Sequence, residues 1–554
     1  MTPFRAVLLA AALGFAAAAQ AQPLSPKQLG EAFDKLLAER YPAGGSGAAV
    51  LVAQRGKVLY HKAFGMASIE LNVPMQPGSV FRIGSITKQF TAVAILQLME
   101  QGKLSLQDEI TKFIPDYPVH GHRITIEHLL THTSGIRSYT DMEAFGNIIT
   151  QDKSPEELIA FFKNQPMDFA PGTQWNYNNS GYFLLGYIIE QVSGMTYPEY
   201  LDTHIFKPLG MKQSYYGSDT RLIPGRAAGY EWDGQGLINA PAMSMSLPYA
   251  AGSIQSTVED LFTWHRALHA GQVVKQETLE QAFREYKLQN GKGTSYGYGW
   301  FLGQLQGSRT IEHGGGINGF VTESLYLPAE DVFVALFTNS TRDETSPSLP
   351  AAQLAALVIG KPFSFKEIPL RASDAAAYAG VYESETGEQR ILRVQNDSLY
   401  SERGGGQMFR VRSYGKDKFY FDNSLTTLEF KRNAAGAVES VTSYERTGTI
   451  VWKKTDKPIP APRAELTLPE ALLETYVGTY QIAPDFALAV TREGQRLFTQ
   501  ATGQERFEIF ASSESRFFLK VVDAQIEFFK NEQGAVDRLM LFQNGQAIAG
   551  KKVK

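Results

Sequence analysis

The sequence predicts an α/β domain, an antiparallel sheet covered by helices and carrying a helical insert, followed by two small all-β barrels. Three observations carry this prediction. Strand-like runs flank a long helical stretch in the first two thirds of the chain. A pattern of short strands then fills the last third. Finally, that last third repeats itself at a constant offset of 98 residues. Strands from both ends with helices between them suggest one mostly antiparallel sheet with a helical insert.

The elements follow in order. Residues 25–42 place Leu29, Phe33, Leu36 and Leu37 on one helical face and stop at Tyr41-Pro42. Residues 47–53 and 58–64 read as strands and meet at Arg55-Gly56, a hairpin signal. From Ser85 a helical pattern with Phe90, Val93, Ala94, Leu96, Leu98 and Met99 runs to Gly102, a natural C-cap. Residues 105–285 read as helices with long loops, and residues 299–304, 320–327 and 332–337 as strands.

In the repeat, Tyr378-Ala379-Gly380-Val381-Tyr382 recurs as Tyr476-Val477-Gly478-Thr479-Tyr480. Leu428-Glu429-Phe430 recurs as Ile526-Glu527-Phe528, and Gly436-Ala437-Val438 as Gly534-Ala535-Val536. Both copies alternate apolar and polar residues between turns, which predicts antiparallel barrels. Pro458, Pro460 and Pro462 mark a stiff linker, and a looser join lies near residues 360–369. The expected division is a signal peptide at 1–21, the α/β domain at 22–360, and barrel repeats at 373–455 and 469–554.

Composition narrows the function. A net charge of -4 and a pI near 6.2, with no basic run, argue against nucleic acid as a partner. Arg5, the apolar residues 6–19 and the Ala19-Gln20-Ala21 cleavage pattern predict export, to the periplasm or the medium. The apolar stretch is short for a membrane anchor, and no later segment is long and apolar enough to span a bilayer. The chain has no cysteine, so thiol nucleophiles, Cys-ligated metals and disulfides are excluded. Nothing in the sequence specifies an oligomeric state.

Chemistry concentrates on a few residues. Ser85 and Lys88 are one helical turn apart, and a serine hydroxyl needs a neighbour that takes its proton. At a helix N-terminus, free N–H groups favour developing negative charge. The same spacing recurs at Ser413 and Lys416, but in a strand-rich repeat, where the two side chains point to opposite faces. Tyr177-Asn178-Asn179 in a Pro/Gly-introduced loop and His313-Gly314-Gly315-Gly316 at a strand end complete a set of polar clusters that suits acyl transfer. His120, His122, His128 and His132 form a rival cluster. His128 and His132 have the spacing to share a helical face for zinc, but lack the metalloprotease glutamate between them.

Residues 35–345 resemble the penicillin-recognising serine hydrolases: class C β-lactamases, D,D-carboxypeptidases, D-aminopeptidases and related esterases. The stretches VFRIGSITKQFTA (80–92), ITIEHLLTHTSGI (124–136), FAPGTQWNYNNSGYFLLGYIIEQVSG (169–194) and EHGGGINGF (312–320) carry the likeness. The resemblance implies a serine β-lactamase-like fold and an acyl-enzyme mechanism with no cofactor or metal. It implies Ser85 as nucleophile, Lys88 and Tyr177 as the proton-transfer pair, and Asn179 as a ligand of the acyl side chain and of Lys88. The backbone N–H groups of Ser85 and Gly316 would form the oxyanion hole. The His313 strand, with Gly315, would pair with an extended substrate. It also implies that the histidine before Thr133 is structural.

One residue departs from the pattern. Many penicillin-binding members carry lysine where this chain has His313, and a histidine is largely neutral at pH 7. The His-x-Gly form resembles the aminopeptidase and esterase branches, and D-aminopeptidases of the family also carry two small barrels. The expected substrate is therefore an ester, a small amide or a D-amino-acid peptide, with cell-wall fragments among the possible partners. A β-lactamase or D,D-carboxypeptidase is the alternative within the fold, and a catalytically weak muropeptide- or penicillin-binding protein the alternative outside enzymes.

Overall fold

The computed structural model describes residues 24–553 apart from 219, 234, 364, 404–407, 423, 447, 461–464, 484–485, 503–505, 521–523, 532 and 544–545. The expected export segment, residues 1–21, and Pro462 lie outside the described residues. Among those described, no helix is long and apolar enough to cross a membrane.

Ten elements position the site: α1 (Pro26–Arg40), β1 (Ala48–Gln54), β2 (Lys57–Phe64), α2 (Thr87–Glu100), α3 (Asn179–Ser193), α4 (Val258–His269), β3 (Phe301–Leu305), β4 (Ser308–Ile317), β5 (Phe320–Leu327), β6 (Val332–Thr338). A further helix, α5 (Ser348–Val358), closes the domain. The six strands form one antiparallel sheet in the order β3-β4-β5-β6-β1-β2. Ala48 pairs with Thr338 and Gln54 with Val332, so the early hairpin is seated against the late strands, as the sequence order requires.

The central strands are buried on both faces, which is why β1 reads as an unbroken apolar run instead of an alternation. Val50 and Val52 pack with Phe33 and Leu37 of α1 and with Leu354 and Ala355 of α5. Ala49 and Leu51 face the opposite way, toward Phe90 and Val93 of α2, Leu184 of α3 and Trp264 of α4. Each fully buried Leu or Phe in these layers contributes about 1.5–3 kcal/mol. Ser25 caps α1 by accepting from Gln28 N, with the Gln28 side chain reaching back in return. Arg55 and Gly56 both take positive φ at the β1–β2 turn, as a tight two-residue hairpin demands.

The last third forms two closed eight-stranded antiparallel barrels, Gly380–Glu383 through Gly448–Lys454 and Gly478–Ala483 through Gln546–Lys552. Their closures repeat the sequence offset: Tyr382 pairs with Lys454 in the first barrel and Tyr480 with Lys552 in the second. In each, the tyrosine hydroxyl donates to a backbone carbonyl four residues back, Tyr378 O at 2.7 Å and Tyr476 O at 2.8 Å. Each closing lysine donates to another, Ala377 O at 3.1 Å and Thr475 O at 3.0 Å. The Ser413 and Lys416 pair falls on a strand, Phe409–Gly415, and just beyond it. There the Ser413 hydroxyl donates to Gly415 O. The first barrel abuts the outer edge of the sheet, where Gln304 N of β3 donates to Arg446 O at 2.8 Å.

Candidate active site

Four elements converge on Ser85. The residue sits in a short 3₁₀ turn, Gly84–Ile86, that leads into α2, and Lys88 lies in the first turn of that helix. Gly84 takes φ +52°, and a Cβ there would lie 3.0 Å from Gly316 N. Only glycine allows the Ser85 turn to approach β4 this closely. A Cβ on Gly315 would lie 2.0 Å from Ile83 O, so that position also requires a bare backbone. Gly316 is different: it is exposed, and nothing lies within 4 Å of its missing side chain.

Strand β4 runs on through the glycine triplet, which carries no hydrophobic alternation to mark it. It begins at Ser308, so His313 lies inside it and not at its end. Pairing with β3 stops at Glu312, opposite Phe301, whereas pairing with β5 continues to Ile317. Residues 313–317 therefore present an edge that β3 does not cover.

Lys88 is fully buried and its Nζ has three partners: Ser85 Oγ at 3.0 Å, Asn179 Oδ1 at 2.8 Å and Ala251 O at 2.9 Å. Burial lowers its pKa well below the ordinary lysine value, since the charged form has lost its water. As a neutral amine, Lys88 has two N–H donors for Asn179 and Ala251 and one lone pair facing the Ser85 hydroxyl. Its Nζ also lies 4.7 Å over the Tyr177 ring and 5.5 Å over the Tyr182 ring, which favours the ammonium once a proton arrives.

Asn178 and Asn179 mark the start of α3. The Asn178 side chain caps the helix by accepting from Gly181 N at 2.7 Å and donates to Ile136 O. Asn179 turns its oxygen to Lys88 because its Nδ2 donates to Thr140 Oγ1 at 3.0 Å and its backbone N to Ser138 Oγ at 3.2 Å. The Tyr177 hydroxyl is enclosed and makes no hydrogen bond of normal geometry. Burial raises its pKa, an effect that interaction with Ser85 partly offsets, so Tyr177 stays a neutral phenol.

His313 is buried beside this group. Its Nδ1 lies 2.5 Å from Gly314 O and must donate there, which leaves Nε2 to accept from the Tyr296 hydroxyl at 3.0 Å. Burial, and secondarily the Lys88 charge, push its pKa down to about 3. The imidazole is thus neutral and turned toward Tyr296. The structure brings Ser85, Lys88, Tyr177, Asn179, His313 and Gly315–Gly316 into one site.

Sequence reasoning missed the rest of the shell. Ala251 contributes a backbone oxygen, which no side-chain pattern announces. Tyr182 and Tyr296 pack with His132 at 5.1 and 4.7 Å between ring centroids. His132 accepts from Asn178 N at 3.0 Å, and burial, then Lys88 and His313, lower its pKa well below normal. Contrary to their spacing, His128 and His132 do not share a helical face. The helix is Ile126–Leu130, and His132 lies beyond its cap with φ +58°. His128 is used as a capping residue, its Nδ1 accepting from Thr125 N.

The β-lactamase family profile matches residues 33–358, and a second profile, a domain of unknown function (DUF3471), matches residues 462–552. A penicillin-binding protein of Bacillus subtilis is 27% identical over 540 residues, covering 94% of this chain and 97% of that protein. A D-aminopeptidase of Gluconobacter oxydans is 26% identical over 365 residues, 64% of this chain and 66% of that protein. Among solved structures, the D-amino acid amidase from Ochrobactrum anthropi SV3, in complex with D-phenylalanine, matches with a TM-score of 0.53 and 25% identity. It covers 60% of this chain and 99% of the amidase.

Proposed function

Because the chain belongs to the β-lactamase family of serine hydrolases, we propose that it is an exported acyl-enzyme hydrolase of small amides, esters or peptides of D-amino acids. The observation that carries this reading is the buried Lys88 amine, 3.0 Å from Ser85 Oγ and with its other donors already engaged. Ser85 Oγ attacks the substrate carbonyl as its proton passes to Lys88. The oxyanion is received by the N–H groups of Ser85 and Gly316, each worth about 3 kcal/mol in the transition state. Tyr177, held as a neutral phenol, hands its proton to the leaving amine or alcohol and regains one from Lys88. Water then attacks the acyl-enzyme by the same route in reverse and frees the acid.

Substrate class follows from charge. A neutral His313 supplies no cation for a terminal carboxylate, which favours amides and esters over D,D-peptides. The likeness to a D-aminopeptidase and a D-amino acid amidase supports the same choice. Export rests on Arg5, the apolar residues 6–19 and the Ala19-Gln20-Ala21 pattern. A second reading, covalent capture of β-lactams with little turnover, is favoured by the likeness to a penicillin-binding protein along 94% of the chain.

Intact-mass spectrometry after treatment with a fluorophosphonate and a β-lactam tests the mechanism. Wild type gains one adduct on Ser85, and Ser85→Ala gains none. Absence of any adduct on wild type overturns the reading. Steady-state assays on D-alanine anilide, a chromogenic ester and a cephalosporin then separate the two readings.

A further inference from the structure

Arg446, which directly follows the strand Val438–Glu445 of the first barrel, reaches the back of the catalytic sheet. It is largely buried and donates through Nη2 to Glu312 Oε2 at 2.7 Å and to Glu323 Oε1 at 3.4 Å. These carboxylates belong to adjacent strands. Glu312 faces Leu325 across the β4–β5 pair, and Glu323 faces Gly314, so both side chains project from the same face, diagonally placed. That face is opposite the one bearing His313. Glu312 thus immediately precedes the catalytic stretch of β4 and Glu323 lies directly across from its first glycine.

Three further details tie Arg446 to this place. The Arg446 carbonyl accepts from Gln304 N at 2.8 Å. A Cβ on Gly303 would lie 2.2 Å from that same carbonyl, so the sheet edge is cut away to admit it. Glu323 is also anchored from the other side by the Ser348 hydroxyl, at 2.5 Å. The duplication adds an internal control. In the second repeat the position 98 residues on from Arg446 is Asn544, which lies outside the described residues. Only the first copy carries an arginine at this point.

We infer that Arg446 of the first barrel is a positioning residue for the hydrolysis proposed above, bridging Glu312 and Glu323 behind β4 and so fixing Gly315 and Gly316 against Ser85. Two carboxylates buried side by side on neighbouring strands repel each other unless a cation lies between them. Burial, opposed by Arg446 and reinforced by Glu323, pushes the Glu312 carboxyl up to about 7 even with the arginine in place. Without Arg446 the pair must take up a proton or separate, and either disturbs the strands at the point where the oxyanion donor must be held to a fraction of an ångström. The first barrel is in this sense part of the active centre.

The inference rests on the acyl-enzyme reading, and one experiment keeps the two apart. Fluorophosphonate labelling rates and steady-state kinetics on a chromogenic ester are measured for full-length wild type, Arg446→Met, Arg446→Lys and Arg446→Met/Glu323→Gln. The expected result is a fall in labelling rate and kcat of at least about tenfold in Arg446→Met, with KM changed by less than about threefold, since the oxyanion is bound only in the transition state. Removing one of the repelling charges in the double variant restores most of the loss. Arg446→Lys, which keeps the charge and loses the fork, falls between. Wild-type rates in Arg446→Met, or a double variant no better than the single one, overturn the inference. If Arg446→Met does not fold, as judged by circular dichroism, the Arg446→Lys and double variants decide it in the same terms. An unlabelled wild type overturns the hydrolase reading instead.

Discussion

Lys88 approaches Ser85 from the buried side, Nζ to Oγ at 3.0 Å, and burial holds its amine well below the ordinary lysine pKa. A base made this way depends on the absence of water and not on a neighbouring cation. Replacing Lys88 by Arg, which cannot release its proton, is expected to lower kcat/KM by about 10³. Substrate assays on purified Lys88→Arg check this; activity within tenfold of wild type assigns the base elsewhere.

The pH dependence follows in sign. Lys88 works as the free amine and its pKa is depressed, so the acylation rate rises with pH and is lost as pH falls through that depressed value. His313, at about 3, contributes no ionisation in the neutral range. The pH profile of fluorophosphonate labelling should therefore show an acid limb that stays in place in His313→Gln.

The two adjacent glycines of β4 should behave in opposite ways. Gly315→Ala forces a methyl to within 2.0 Å of Ile83 O and is expected to cost about 1–3 kcal/mol in stability together with most of the activity. Gly316→Ala meets nothing within 4 Å and should leave thermal unfolding unchanged, raising KM where an extended substrate lies against the strand. Equal melting behaviour in the two variants would contradict the close approach of β4 to the Ser85 turn.

Asn178→Ala removes the cap of α3 and the bond to Ile136 O in one change. A loss of about 1–2 kcal/mol is expected from the cap alone. Because Tyr177 and Asn179 flank the cap, kcat should fall as well. Denaturant unfolding and ester kinetics on the same sample test both effects.

Tyr382→Phe and Tyr480→Phe delete equivalent hydrogen bonds in the two barrels, to Tyr378 O and Tyr476 O. Each should cost about 1 kcal/mol, and the double variant the sum, because the sites are far apart. Urea unfolding of the three variants checks the additivity.

Much of this was written plainly in the chain. Helix α1, the β1–β2 hairpin and helix α2 follow from hydrophobic period and turn residues, and the barrels from a repeat visible without any structural knowledge. Ser85 and Lys88 stand out only beside Tyr177-Asn178-Asn179 and His313-Gly314-Gly315-Gly316, since their spacing recurs at Ser413 and Lys416. What stayed hidden has a physical reason in each case. The second half of β4 holds a run of glycines, which leave no pattern. The Ala251 oxygen belongs to the backbone, which every residue shares. Tyr182 and Tyr296 look like ordinary core aromatics until the fold packs them against His132. Arg446 lies 134 residues from Glu312, beyond the reach of any local rule.

Both barrels close by joining their first strand to their last, so the chain enters and leaves each module at neighbouring points, beside Tyr382 and Lys454 or Tyr480 and Lys552. A bead whose two holes lie together slips on or off a thread without moving the rest. Any excision of 98 residues between matching positions of the copies would splice the front of one barrel to the back of the other in register. Depending on where the cut falls, the surviving hybrid keeps Arg446 or inherits Asn544.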